Sequence, residues 1–281
     1  GITTVMDAGI KGELRILDDT TFVQIIKLED GSSIIGRITA IKDEKVEIQT
    51  DMGLIIVPVS KIQEIETATS GAIKNGQYWF ANPNSSRLIL APSGRMLDKG
   101  KGYIADYCLF SPRVAYGITK NISVSGGATL IPFSREDQWF YLMPEFGMDV
   151  NDNSALSAGA AVFMPFWDSP GSSFPLLSVA YGAFSAGKPD SRITAGVGYG
   201  IVRDEWMKLP VFLFGRDIRI FKGVSLVSEN YIFMDNDRVL QTVFCYGCRF
   251  FSKSLCVDAA FVKTLDCALF GLPFVSIAYN F

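Results

Sequence analysis

Leu272-Pro273-Phe274-Val275-Ser276-Ile277-Ala278-Tyr279-Asn280-Phe281 is the stretch whose reading decides the fold. Val275, Ile277, Tyr279 and Phe281 are apolar, while Ser276, Ala278 and Asn280 between them are small or polar. Successive side chains of an extended chain point to opposite sides, so this alternation describes a strand with one greasy face. The same rhythm recurs through most of the chain back to residue 86 and predicts an all-β protein.

Composition narrows the class. Of 281 residues, 48% are hydrophobic and mean hydropathy is +0.24, yet no run of about 18 apolar residues occurs, which excludes a membrane-spanning helix. A chain that is apolar on average but never continuously so fits strands with one lipid-facing side. A net charge of -3 offers nucleic acid no electrostatic footprint. Histidine is absent, so a Ser-His-Asp triad, a Cys-His pair and histidine metal ligation are all closed, and neither enzyme activity nor a cofactor or metal is expected. Five cysteines, Cys108, Cys245, Cys248, Cys256 and Cys267, leave at least one unpaired in an oxidising compartment. Cys245 and Cys248 are spaced as in redox and zinc motifs, but positions i and i+3 of a strand diverge. No secretory leader is read at Gly1, so the sequence is taken as a processed form without a lipid anchor.

Taken in order, residues 1–21 carry little signal. Residues 22–67 read as a small module of short strands, Phe22–Leu28, Ser33–Ile41, Val46–Thr50, Leu54–Val59 and Ile65–Thr67, with a 3₁₀ turn at Ser60-Lys61-Ile62. Asp30-Gly31 and Met52-Gly53 supply the positive φ that tight hairpins need. Residues 68–85, rich in Ser, Gly, Asn and Pro, read as a linker. Residues 86–281 read as a barrel of twelve strands, 87–92, 103–118, 121–131, 138–150, 154–166, 174–186, 191–202, 209–220, 223–234, 239–251, 254–264 and 272–281. Most exceed the ~9–11 residues that a tilted strand needs to cross the hydrocarbon layer. The connections alternate. Those after even-numbered strands are tight, as at Thr119-Lys120 and Phe221-Lys222. Those after odd-numbered strands are mostly longer: Ser93–Gly102, Pro132–Asp137, Trp167–Ser173, Arg203–Lys208, Asp235–Arg238 and Leu265–Gly271. Such asymmetry puts both barrel ends, and residues 1–85, on the periplasmic side of an outer membrane.

Alternation also assigns faces. Ile193, Ala195, Val197, Tyr199 and Ile201 are expected to face lipid, as are Leu177, Val179, Tyr181 and Ala183, and Ile122 and Val124. Aromatics near strand ends (Tyr116, Trp139, Phe140, Phe166, Trp167, Trp206, Phe250, Phe251) suit interfacial girdles. Arg113, Glu145, Asp149, Asp217, Arg219, Glu229, Arg249 and Asp258 fall inside the barrel. They are either a charged constriction that selects solutes or paired charges that fill and lock a narrow lumen. The glycines of Gly196-x-Gly198-x-Gly200 leave room inside a narrow barrel, since no helix follows to make a phosphate loop.

Three resemblances add to this reading. The terminal strand through Val275, Ile277, Tyr279 and Phe281 resembles the closing strand of bacterial outer-membrane barrels, whose terminal Phe is read by the barrel-insertion machinery. The phrase Lys27-Leu28-Glu29-Asp30-Gly31-Ser32, followed by Gly36-Arg37-Ile38, resembles the Sm-like or SH3-like small barrels, in which a glycine lets the second strand bend sharply. The runs Tyr78-Trp79-Phe80-Ala81-Asn82-Pro83-Asn84, Arg87–Arg95, Gly102-Tyr103 and Ala115–Asn121 resemble outer-membrane barrels of Bacteroidota-like bacteria. That likeness implies location and fold and supplies no catalytic residues. The outer-membrane phospholipase, omptin protease and lipid A palmitoyltransferase barrels use a catalytic His that this chain lacks.

The expectation is therefore a transmembrane barrel in outer-membrane lipid, preceded by a periplasmic Sm/SH3-like module. Its first functional reading is a structural or accessory subunit whose module binds a protein partner in a periplasmic or envelope complex. A narrow porin-like solute channel is the alternative, and a barrel enzyme is the distant one. A soluble β-sandwich lectin is the rival fold.

Overall fold

The computed structural model describes residues 10–130, 138–165, 177–202, 205–206, 209–234, 239–264 and 271–281. The chain divides into two units, Gly1–Phe80 and Ala81–Phe281.

In the first unit, β1 (Phe22–Leu28), β2 (Ser33–Lys42), β3 (Lys45–Thr50), β4 (Gly53–Pro58) and β5 (Ile62–Thr69) form an antiparallel sheet in the order β4-β3-β2-β1-β5. The β2–β3 hairpin turns on Asp43 and Glu44, both at positive φ, the geometry whose twist suits a two-residue connection. Alternate residues Ile26, Ile38, Val46 and Ile48 join Leu14, Val57, Ile62 and Ile65 in its core. Gln24 is buried among them and both ends of its amide are used. Oε1 accepts from the Ile38 N–H at 2.9 Å, and Nε2 donates to the Arg15 carbonyl at 2.8 Å. A 3₁₀ turn spans Val59–Lys61. Beyond β5 the chain is not a bare linker. A 3₁₀ turn at Ser70–Ala72 leads into a short hairpin, β6 (Ile73–Lys74) with β7 (Gln77–Tyr78).

In the second unit twelve strands close a barrel. They are β8 (Gly102–Tyr107), β9 (Ser111–Gly117), β10 (Ile122–Ala128), β11 (Trp139–Asn151), β12 (Ser154–Pro165), β13 (Leu177–Lys188), β14 (Ser191–Val202), β16 (Val211–Phe221), β17 (Val224–Met234), β18 (Leu240–Phe251), β19 (Leu255–Thr264) and β20 (Leu272–Asn280). A two-residue strand, β15 (Glu205–Trp206), pairs with the end of β14. All neighbours are antiparallel, and β20 returns to β8 through Ser276↔Tyr107 and Asn280↔Tyr103, so no sheet edge remains. The quoted stretch is thus the closing strand. Ser276 and Ala278 are buried within, and Val275, Ile277 and Tyr279 are exposed on the outside.

Ile104, Val114, Ile122, Leu142, Phe146, Leu156, Ile193, Phe214 and Leu226 are likewise exposed. A closed barrel that turns its aliphatic and aromatic side chains outward finds its favourable surroundings in hydrocarbon, not water.

Two strand assignments are corrected. Residues 87–92 do not join the wall; they lie inside the barrel. Residues 103–118 are two strands, β8 and β9, with a turn at Cys108 and Leu109, both at positive φ. The count of twelve survives because one error removes a strand and the other adds one. The Ser93–Gly102 connection is likewise no rim loop at its start, since Ser93 and Leu97 are buried. Connections on the tight side follow β9, β11, β13, β16 and β18, as expected from sequence. On the other side, the loops read at 132–137, 167–173, 235–238 and 265–270 and their charged and aromatic runs lie outside the described residues, as do most of 203–208 and Phe166, Trp167 and Cys267.

One face is also corrected. Ala183 is buried and Phe184 exposed, so on β13 the set Val179, Tyr181 and Ala183 points inward. Its register explains the choice. Tyr181 sits between Gly159 and Gly198 on the neighbouring strands, and a Cβ on Gly159 would lie 2.6 Å from the Tyr181 hydroxyl. The glycines make room for the ring.

Candidate functional site: the lumen and the segment inside it

Inward alternation on β14, β16, β17, β18 and β19 places Arg192, Asp217, Glu229, Arg249 and Asp258 in the lumen, each at most 5% exposed. Charges so deeply desolvated need partners with good geometry. Much of that partnership comes from residues 82–97, which run through the lumen in place of solvent. Locally this segment is a tight hairpin. The Leu88 N–H donates to the Ala91 carbonyl at 2.9 Å, the Ser93 N–H donates to the Ser86 carbonyl at 2.9 Å, and Arg87 bridges Pro92. Leu88, Ile89 and Ala91 are buried.

Irregular backbone at membrane depth is tolerated only where protein satisfies it, and here the wall does so group by group. Arg249 donates from Nη1 to the carbonyls of Asn84 and Arg87, at 3.1 and 3.2 Å, and from Nη2 to the carbonyl of Leu88. The Glu229 carboxylate accepts the N–H of Leu90 at 2.9 Å and of Ala91 at 3.1 Å. Arg192 donates to the Ser85 carbonyl at 2.9 Å, Ser157 Oγ to the Ser93 carbonyl at 2.9 Å, and the Gly94 N–H to Ser185 Oγ at 2.8 Å. Asn84 donates to the Asn280 side chain on the closing strand at 2.9 Å.

Asp258 is the centre of the network. Its two oxygens take Arg87 Nη1 and Arg249 Nε, both at 2.7 Å, and Ser276 Oγ at 2.9 Å. Arg87, 1% exposed, also lies 5.8 Å from the ring centres of Tyr103 and Tyr107. A planar guanidinium can use both its edge and its face in this way.

The eight lumen charges read from sequence fall into three groups. Glu229, Arg249 and Asp258 hold the inserted segment. Asp217, Arg219 and Asp149 lie toward the tight-turn rim: Asp217 pairs with Arg192 at 2.9 Å and accepts from Asn82 at 3.2 Å, Arg219 meets Asp190 at 3.1 Å, and Asp149, with a 76% exposed side chain, faces Arg95 at 3.8 Å. Arg113 and Glu145 stand apart on β9 and β11, bonded to the hydroxyls of Ser125 at 2.9 Å and Ser123 at 3.3 Å. Arg87 and Arg192 were missed from sequence. For Arg192 the signal was present, since it shares the parity of the inward Thr194 and Gly196. For Arg87 it was not, because a wall strand was read there.

Above the hairpin tip, toward the long-loop end, the lumen opens into a cavity of about 470 Å³. Leu90, Ala91 and Pro92 of the inserted segment line it, with Tyr107, Arg113, Tyr141, Phe163, Tyr181, Leu213 and Tyr231 from the wall. Among the described residues no cluster of His, Cys, Asp and Glu is arranged to hold a metal ion. Cys245 is buried toward the lumen, and Cys248 lies on the opposite face of β18.

No protein-family model matches the chain, and no curated protein matches it. Solved structures do. The KdgM porin in complex with disordered oligogalacturonate matches 64% of this chain and 96% of its own, with 8% identity and a TM-score of 0.48. The NanC porin matches 64% of this chain and 97% of its own, with 8% identity and a TM-score of 0.43. A loop-deletion form of OmpT, an outer membrane protein of Vibrio cholerae, matches 93% and 97%, with 11% identity and a TM-score of 0.35. At these identities no residue role passes from them to this chain.

Proposed function

We propose that the second unit is a narrow, porin-like solute channel of a bacterial outer membrane, held closed by its own residues 82–97. The observation that carries this reading is the division of the lumen. Part of it is filled by a hairpin bonded to wall charges, and part is a cavity of about 470 Å³. A barrel that served only as an anchor gains nothing from a cavity, and one that served only as an open pore gains nothing from a hairpin whose backbone is bonded to wall side chains at Asn84, Ser85, Arg87, Leu88, Leu90, Ala91, Ser93 and Gly94. In the closed state Arg87, Arg249 and Asp258 act as latch residues; in an open state the same charges would line the path and bias it for ions and polar solutes.

The even strand count brings β8 and β20 to the tight-turn rim, which in outer-membrane barrels is periplasmic. The first unit would then be a periplasmic Sm/SH3-like module. Its strand order and the glycine at position 36 support that assignment, since a Cβ on Gly36 would lie 2.7 Å from Ile48. The structural-subunit reading keeps one supporting observation, the filled lower lumen. It requires that partners co-purify through residues 1–75. The two readings separate on planar-bilayer recordings of Arg87→Gln combined with Glu229→Gln. A channel gains steady conductance when the hairpin loses its anchors, and an anchor stays silent.

A further inference from the structure

The cavity beside the hairpin tip has an unusual combination of walls. Leu90, Phe163, Val179 and Leu213 give it an apolar body. At one side stands Arg113, 8% exposed, and no carboxylate bonds it among the described residues; Nη2 donates to Ser125 Oγ, and Nε, buried, has no partner. The hydroxyls of Tyr107 and Tyr181, which line the same cavity, are also buried without a partner. Every other lumen arginine described here meets an acid: Arg87 and Arg249 meet Asp258, Arg192 meets Asp217, Arg219 meets Asp190 and Arg95 approaches Asp149. Buried donors are normally satisfied, and a cluster of orphans around one guanidinium marks a missing acceptor.

We infer that this cavity is a binding site for a small amphipathic carboxylate, with its anionic head on Arg113 and the two tyrosine hydroxyls and its apolar body against Leu90, Phe163 and Leu213. The size fits, since about 470 Å³ lies in the range that holds a drug-sized organic molecule. The sign fits as well. Glu145, also on the inner wall, accepts Ser123 Oγ on one oxygen and has its other oxygen buried without a partner, and among the described residues no acid is bonded to Arg113. This assignment rests on the channel reading and deepens it by naming the class of solute that the barrel takes up.

The test is calorimetric titration of the intact protein in lipid nanodiscs with decanoate, decanol and decyltrimethylammonium, with empty nanodiscs subtracted. The variants are Arg113→Gln and Leu213→Trp, each checked for a folded barrel by heat-dependent electrophoretic mobility. Decanoate is expected to bind saturably and to weaken about tenfold or more in Arg113→Gln, the loss expected when a charge-assisted contact is removed. Decanol should be indifferent to that change, and Leu213→Trp should abolish both. Equal decanoate affinity in wild type and Arg113→Gln, preferential binding of the cation, or no saturable decanoate binding would overturn the assignment. Conductance separates the two proposals. Decanoate binding in a barrel that never conducts sinks the channel reading alone, and conductance without decanoate binding sinks this one alone.

Discussion

Asp258 holds two guanidiniums at once, and among the described residues neither Arg87 nor Arg249 has another carboxylate within bonding distance. Replacing it by Asn leaves two buried cations facing a neutral amide. Removing one partner of a buried pair costs about 3–5 kcal/mol. Asp258→Asn should therefore lower barrel stability by at least that order, read as a reduced urea midpoint in lipid vesicles. The neighbouring Ser276→Ala, which removes one hydroxyl donor to the Asp258 carboxylate, should cost about 1.5–3 kcal/mol. In the first unit, Tyr78 offers a pH signature. Burial pushes its phenol up to about 12, with the Glu66 carboxylate that accepts its hydroxyl at 2.8 Å adding to the shift. Because the folded value exceeds the ordinary 10.0, the stability tied to this phenol is complete below pH 10 and is lost as pH rises from 10 to 12. A spectrophotometric titration of the folded protein should lose the amplitude of one tyrosine at this late transition in Tyr78→Phe relative to wild type. At this scale the sequence was informative where parity was clean. Asp217, Glu229, Arg249 and Asp258 are buried in the lumen, and Arg192 follows from the same parity. Arg87 was beyond reach, because its partner Asp258 lies 171 residues away and no local pattern links them.

Elements were legible where alternation contrasted apolar with polar residues. On β14, Ile193, Val197 and Tyr199 face outward and Thr194 is buried, as the pattern demands. On β13 both sets were small or apolar, so hydrophobicity carried no sign; only the glycines of neighbouring strands, which admit Tyr181, set the face. The β8–β9 turn was invisible because Cys108 and Leu109 adopt positive φ without the Gly or Asn that ordinarily announces it. The Leu88-Ile89-Leu90-Ala91 run read as wall because it is apolar, while its position is set by Arg249 and Glu229 gripping its backbone. The hairpin's contact with the wall is close at Gly94, where a Cβ would lie 2.6 Å from the Ser185 backbone nitrogen. Gly94→Val should wedge the segment away from β12 and β13 and expose Arg87 and Arg95 to trypsin in the folded protein, whereas the wild-type segment should resist. On the outer face, Ile277→Lys should cost about 2–4 kcal/mol where it meets mid-bilayer hydrocarbon. Its effect should appear as a lower folded fraction in vesicles.

At the scale of the molecule, the outward apolar surface makes lipid the solvent of the second unit, and Arg192, Glu229, Arg249 and Asp258 are engaged by a hairpin of the same chain. Composition and rhythm made the barrel legible; its occupant depends on contacts between strands distant in sequence, which no periodicity encodes. The proposal that residues 82–97 are a removable closure stands on this arrangement. Single-channel recording of the purified protein in a planar bilayer tests it most directly, comparing wild type with Arg87→Gln/Glu229→Gln at matched protein insertion. The wild type should be silent or open only briefly, and the double variant should conduct steadily. Steady conductance by the wild type, or silence in a variant shown to be folded and inserted, would contradict the account.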